Sequence, residues 1–103
     1  MIRYAKEETT YGIKIYFPGG TVRCYNKQDE LHNPYGPAIE HPDGLKVYYK
    51  NGVLYNPNGP AIYQGNMHAY YNHLGKIHNT KGAAIVTSKY ELHFVNGKYL
   101  WKR

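Results

Sequence analysis

The 103-residue sequence predicts an all-β protein, an antiparallel meander of about four hairpin repeats of 23–24 residues forming an elongated, twisted sheet. Three observations predict it. Gly-Pro-Ala-Ile occurs at 36–39 and 59–62, and Gly-Ala-Ala-Ile at 82–85, each 23 residues after the last. A fixed interval of that length marks a repeat architecture. The 11 glycines and 6 prolines recur too densely for helix, and no long stretch keeps the apolar period of one. Turn dipeptides fall between short apolar runs, as hairpins require.

The elements follow in order. Residues 1–11 read as a partial unit or an N-terminal cap, since a repeat sheet must protect its ends. The repeats are 12–35, 36–58, 59–81 and 82–103, within one domain. The second is the clearest. Gly36-Pro37-Ala38-Ile39 leads to a turn at Pro42-Asp43-Gly44, a strand at Leu45–Tyr49, a turn at Asn51-Gly52 and a strand at Val53–Asn56. Asn and Gly tolerate the positive φ of tight hairpin turns. Pro18-Gly19-Gly20 supplies a first turn in unit one and Asn96-Gly97 a second turn in unit four. Unit one departs with Asn26-Lys27-Gln28-Asp29-Glu30 where Asn-Gly is expected. Unit three departs with Gly65-Asn66 and His73-Leu74-Gly75.

Stacking the units makes columns. Ile15, Ile39, Ile62 and Ile85 form one; Leu31, Leu54, Ile77 and Leu100 a second; Tyr25, Tyr49, Tyr71 and Phe94 a third. These are expected to make the better-buried face, because like positions in successive units pack on one another. The opposite face carries Cys24, Tyr48, Tyr70 and His93, beside Val22, Lys46, His68 and Glu91. The closing segments add His32, Tyr55, His78 and Trp101.

The segment Tyr-Lys-Asn-Gly-Val-Leu-Tyr-Asn-Pro-Asn-Gly-Pro-Ala-Ile at 49–62 resembles the MORN-type repeat, in a variant with a Tyr-x-Asn-Gly-x-Leu-His and Gly-Pro-Ala core. The resemblance runs from about Gly12 to Arg103. It implies a hairpin-repeat sheet with scaffolding or protein-binding roles and no catalytic residues to carry over. The chain is also similar to short basic accessory proteins of phages and large viruses, which implies inhibition of a host defence complex.

The composition points the same way. There are 13 tyrosines, and the net charge is +6 with His neutral. Tyrosine suits a half-wet face, and the charge favours an acidic partner. Four of the cations, Lys89, Lys98, Lys102 and Arg103, lie in the last unit. A single cysteine allows no internal disulfide and fits a reducing cytoplasm. The first eight residues lack the apolar core of a signal peptide. No apolar run is long enough to span a membrane as a helix.

Catalytic and metal chemistry find no motif. The six histidines lack zinc-site spacing, and His32 and His78 read as repeat surface residues. Cys24 fills the slot that Tyr48 and Tyr70 hold later, which suits a packing residue. A histidine against it would make a nucleophile. The glycine motifs sit between strands, so none forms a phosphate loop. No cofactor is expected.

The expected function is a non-catalytic protein-binding module. Tyr48, Tyr55, Tyr70 and Trp101 are the expected interface anchors, with Lys46, Lys98, Lys102 and Arg103 steering an acidic partner from the rim. The alternative is a nucleic-acid binder whose C-terminal aromatics stack on bases while the cations take phosphates. An open edge and a Tyr-rich face also admit a face-to-face homodimer.

Overall fold

The computed structural model describes residues 5–103, and among them there is no helix. The strands are β1 (Ala5–Glu8), β2 (Gly12–Tyr16), β3 (Val22–Asn26), β4 (Ile39–Glu40), β5 (Lys46–Val47), β6 (Tyr49–Lys50), β7 (Val53–Leu54), β8 (Ile62–Gln64), β9 (Met67–Ala69), β10 (Ile85–Val86), β11 (Glu91–Val95) and β12 (Lys98–Lys102). Ten of them make one antiparallel sheet in the order β1-β2-β3-β4-β5-β8-β9-β10-β11-β12. The sheet is an open meander with edges at β1 and β12. β6 and β7 pair separately. The molecule is elongated, 46 × 26 × 21 Å. Among the described residues no helix is long and apolar enough to cross a membrane.

The turns form as the sequence dictates. Asn51 and Gly52 both have positive φ, at 48° and 83°, and Asn96 and Gly97 repeat this at 51° and 82°. That is the demand of a type I′ hairpin turn, and Asn-Gly meets it with least strain. At Pro42-Asp43-Gly44 the loop is three residues long and closes with His41 N–H donating to Leu45 C=O at 3.0 Å.

The two irregular turns turn out to be alike. Asn26 N–H donates to Glu30 C=O at 2.9 Å, and Asn72 N–H to Lys76 C=O at 2.8 Å. Each three-residue loop ends in a residue of positive φ, Asp29 at 63° and Gly75 at 78°. Each loop is wound around its leading asparagine. Asn26 Oδ1 accepts from the N–H groups of Gln28 and Glu30, and Asn72 Oδ1 from those of Leu74 and Lys76. The units therefore alternate, with a three-residue turn in one and Asn-Gly in the next.

One expectation needs correction. The closing segments of the first three units do not join the main ladder, whereas that of the fourth, β12, is its last strand. The three pair instead with the far half of the preceding long strand, as in Tyr49↔Leu54 and the bridges Tyr25↔Leu31 and Tyr71↔Ile77. The strand changes partners at a branch residue. At Cys24, Tyr48 and Tyr70 the N–H donates to Ala38, Ala61 and Ala84, at 2.8, 2.7 and 2.7 Å. The C=O of the same residues accepts from His32, Tyr55 and His78, at 2.9, 3.1 and 3.0 Å. Each long strand thus serves two tiers.

The core also differs from expectation. The isoleucine, leucine and aromatic columns are only half-buried, and Leu100 is 49% exposed. The fully enclosed apolar side chains are small: Cys24, Ala38, Ala61, Ala69, Ala83 and Ala84. A single-layer sheet has no second layer to cover large side chains, so close packing is reached only where the alanine loops press on the branch points. Leu100 is displaced by a bulge. Phe94 pairs Tyr99 and His93 pairs Trp101, which leaves Leu100 without an opposite residue.

The opening loops share one device. Asn33, Asn56 and Asn79 each donate from Nδ2 across the loop, to the C=O of Pro37, Pro60 and Ala83 at 3.0, 2.9 and 2.9 Å. Their Oδ1 atoms accept from Tyr35, Asn58 and Lys81 N–H. This is the physical content of the 23-residue period: an Asx turn whose second bond seals the loop. Substantial contact between strands runs only between ladder neighbours and within the β6–β7 pair.

Candidate functional site: an aromatic groove

A groove of about 480 Å³ opens on the face that carries the branch residues. Its sides are the Pro34-Tyr35 and Pro57-Asn58 turns of two successive units. Between them lie Tyr48, Tyr55, Tyr63, His32 and Lys50. The turns lead into β4 and β8, two ladder positions apart, and β5 runs between them. At the usual strand spacing that separation is about 10 Å.

Register fixes the face. Lys46 pairs with Glu40 and Tyr63, so Lys46, Tyr48 and Tyr63 share a side. Tyr63 pairs with His68, which puts Tyr70 on that side as well. The rings form a continuous strip. Centroids are 6.0 Å apart for Tyr48–Tyr63, 6.4 Å for Tyr63–His68 and 5.8 Å for His68–Tyr70. Burial, reinforced by Tyr48 and Tyr70, raises the Tyr63 phenol above its ordinary value.

The polar groups of the groove are unevenly committed. Asn33 and Asn56 are consumed in their own turns. His32 Nδ1 accepts the backbone N–H of Asn51 at 2.9 Å. That acceptor role fixes the tautomer and leaves the hydrogen on Nε2. Tyr11 lies edge-on to His32 at 5.9 Å and tilted against Tyr35 at 6.0 Å. No Asp or Glu lines the groove.

Beneath this end lies Cys24, 2% exposed. Its Sγ is 3.7 Å from Asn33 Nδ2. Burial, and after it a side-chain hydrogen bond with Cys24, push the Tyr11 phenol up to about 12. The neighbours of the thiol are thus a phenol and an amide. Among the described residues no group of three His, Cys, Asp or Glu side chains converges to hold a metal ion.

The structure divides the sequence-predicted residues between two places. Tyr48 and Tyr55 line the groove, and Lys46 and Tyr70 lie along the same strip. Lys98, Trp101, Lys102 and Arg103 belong to the exposed far end, β12 and the residue after it. Trp101 stacks on His93 at 3.7 Å with planes 13° apart, and the Arg103 guanidinium sits 5.5 Å from the indole centroid. Lys102 points to the other face, where its Nζ is 5.2 Å from the Tyr90 ring centroid. The four C-terminal residues therefore do not ring the central tyrosines. β12 is five ladder positions from β5, and adjacent residues of a strand point to opposite faces.

Sequence reasoning missed Tyr63, Tyr35, Lys50 and His32 as groove residues, and it assigned Tyr49, which also lines the groove, to the opposite face. Tyr63 was legible, because it follows Ile62 in an alternating strand and faces the Tyr48 side. Tyr35 and Lys50 sit in or beside turns, where no alternation exists to orient them. The chain matches no family model, no curated protein and no solved structure.

Proposed function

We propose that this protein is a non-catalytic binding module that holds an acidic protein partner on its aromatic face. The observation that carries the reading is the groove: five tyrosines, a histidine and a lysine, with no carboxylate among the lining residues. Tyr48, Tyr55 and Tyr63 desolvate at the centre of such a contact, and Lys46 and Lys50 guide the approach. Cys24 supports a non-catalytic role, because its thiol is enclosed and engaged by Tyr11 and Asn33. The resemblance to MORN-type repeats and to phage and viral accessory proteins gives the biological setting: inhibition of a host defence complex in the host cytoplasm.

The test is an affinity pulldown from host lysate with wild type and a Tyr48→Ala plus Tyr70→Ala variant whose β-sheet circular dichroism is unchanged. Wild type retains a partner that the variant loses. Equal recovery of every protein by both forms removes this face as the interface.

A second reading rests on β12. Trp101 and Arg103 share one side of an exposed edge, with the indole between His93 and the guanidinium. Moving the guanidinium from the ring to a phosphate would free an indole face to stack a base. That reading requires single-stranded nucleic acid to bind at low salt and to be released steeply as salt rises. A flat titration at low salt ends it.

A further inference from the structure

We infer that the groove takes one extended, proline-rich, acidic segment of the partner. The inference rests on the protein-binding reading and names the ligand chemistry of that site.

The groove presents several side-chain hydrogen donors to a ligand. The Oδ1 atoms of Asn33 and Asn56 each already accept a backbone N–H. His32 Nδ1 is taken by Asn51, so its Nε2–H is the ring's remaining polar group. The hydroxyls of Tyr35, Tyr48, Tyr55 and Tyr63 stand along the same lining and are free to donate, and the Lys50 ammonium can only donate. A ligand with carbonyls free to accept complements these donors. A proline-rich segment is such a ligand, since each proline keeps its carbonyl and lacks the N–H.

Shape points the same way. Two turns of the same Asn-Pro type line the groove together with the tyrosine rings. The strands they lead into lie about 10 Å apart, a separation that suits one extended chain. Polyproline II segments dock in aromatic-lined grooves of this kind because their conformation is set before binding. An Asp or Glu in the segment meets Lys50, the one Lys or Arg among the lining residues.

The experiment uses the full chain and fluorescence anisotropy with three labelled probes. One is the peptide Pro-Pro-Glu-Pro-Pro-Asp-Pro-Pro. The second replaces every proline with alanine and keeps both acids. The third is oligo-deoxythymidine. The proline peptide is expected to bind about tenfold more tightly than its alanine counterpart, the difference being the conformational freedom the alanine chain must surrender. Tyr35→Ala weakens it about fivefold or more without moving the melting temperature, since Tyr35 is 82% exposed and acts as a contact ring. Lys50→Glu weakens both peptides.

Equal affinity for the two peptides overturns the inference and leaves the acidic-partner reading standing. Binding of neither peptide also overturns it, and the pulldown then judges the broader reading by itself. Binding of the oligonucleotide with neither peptide bound overturns both.

Discussion

His32 Nδ1 accepts the backbone N–H of Asn51 at 2.9 Å, and His78 repeats the bond with Asn96, also at 2.9 Å. The acceptor ring closes one unit and the donor opens the Asn-Gly turn of the next. Gly52 and Gly97 N–H reinforce the junctions by donating to Leu31 and Ile77 C=O at 2.8 and 2.7 Å. Replacing His32 with Phe removes the acceptor and costs about 1 kcal/mol, a net figure because the freed N–H can turn to water. His32→Asn, whose Oδ1 can stand near the lost Nδ1, retains most of it. Urea unfolding of the two variants checks this. Equal losses would assign the role to ring packing against Tyr11 instead.

A larger effect is expected at Asn26. Its side chain is buried and makes four bonds: from Nδ2 to Glu30 Oε1 and Asn51 Oδ1, and at Oδ1 from Gln28 and Glu30 N–H. Asn26→Ala leaves several of these groups without partners and costs about 2–3 kcal/mol. Asn58→Ala, on an exposed turn, changes stability by less than about 0.5 kcal/mol. A double-mutant cycle between Asn26 and Asn51 returns a coupling of at least about 0.5 kcal/mol. Additive losses would show that their 3.0 Å contact carries no energy.

The alanine column sets a limit on volume. Ala38, Ala61 and Ala84 are wholly enclosed, and their carbonyls tie the branch residues. Ala61→Leu forces the loop off the sheet and costs about 1–3 kcal/mol. Ile62→Val, at a half-exposed position, costs less than about 1 kcal/mol. Thermal unfolding of both variants tests the ordering. The reverse order would place the energetic core in the isoleucine column.

Alkaline pH should loosen the protein through Tyr11. Folding raises its phenol from the ordinary 10.0 to about 12, chiefly by burial. The folded state therefore keeps the proton more tightly. Tyr11's contribution is complete below pH 10 and disappears as pH climbs through about 12. Tyr63 and Tyr71 act in the same direction, since burial raises both. Tyr11→Phe flattens the fall of melting temperature across that window relative to wild type. Identical slopes would clear Tyr11 of the effect.

Much of the fold was legible because its signals are local. Asn51-Gly52 and Asn96-Gly97 demand positive φ whatever surrounds them, and the meander follows from hairpins laid in series. Burial was misread because it depends on layer number, and apolar columns look the same in a single sheet as in a sandwich. The departures in units one and three read as decay of the consensus. They are one design, visible only when Asn26 and Asn72 are seen to hold the same two backbone N–H positions. At the site, Tyr48 and Tyr55 could be placed by alternation. Lys102 could not be placed, because Leu100 adds a residue to one strand and only the three-dimensional pairing reveals it.

The alternation of turns has a consequence for how such a chain can lengthen or shorten. Asn26 reaches Asn51 and Asn72 reaches Asn96, each across one junction, while the intervening boundary has the other turn order. Excising a single 23-residue segment would bring two turns of the same kind together and strand an amide from its mate. Excising 46 residues would splice like to like. Growth and loss in this architecture are quantised in doubles, so a shortened version built from whole pairs should fold where one built from an odd count stalls.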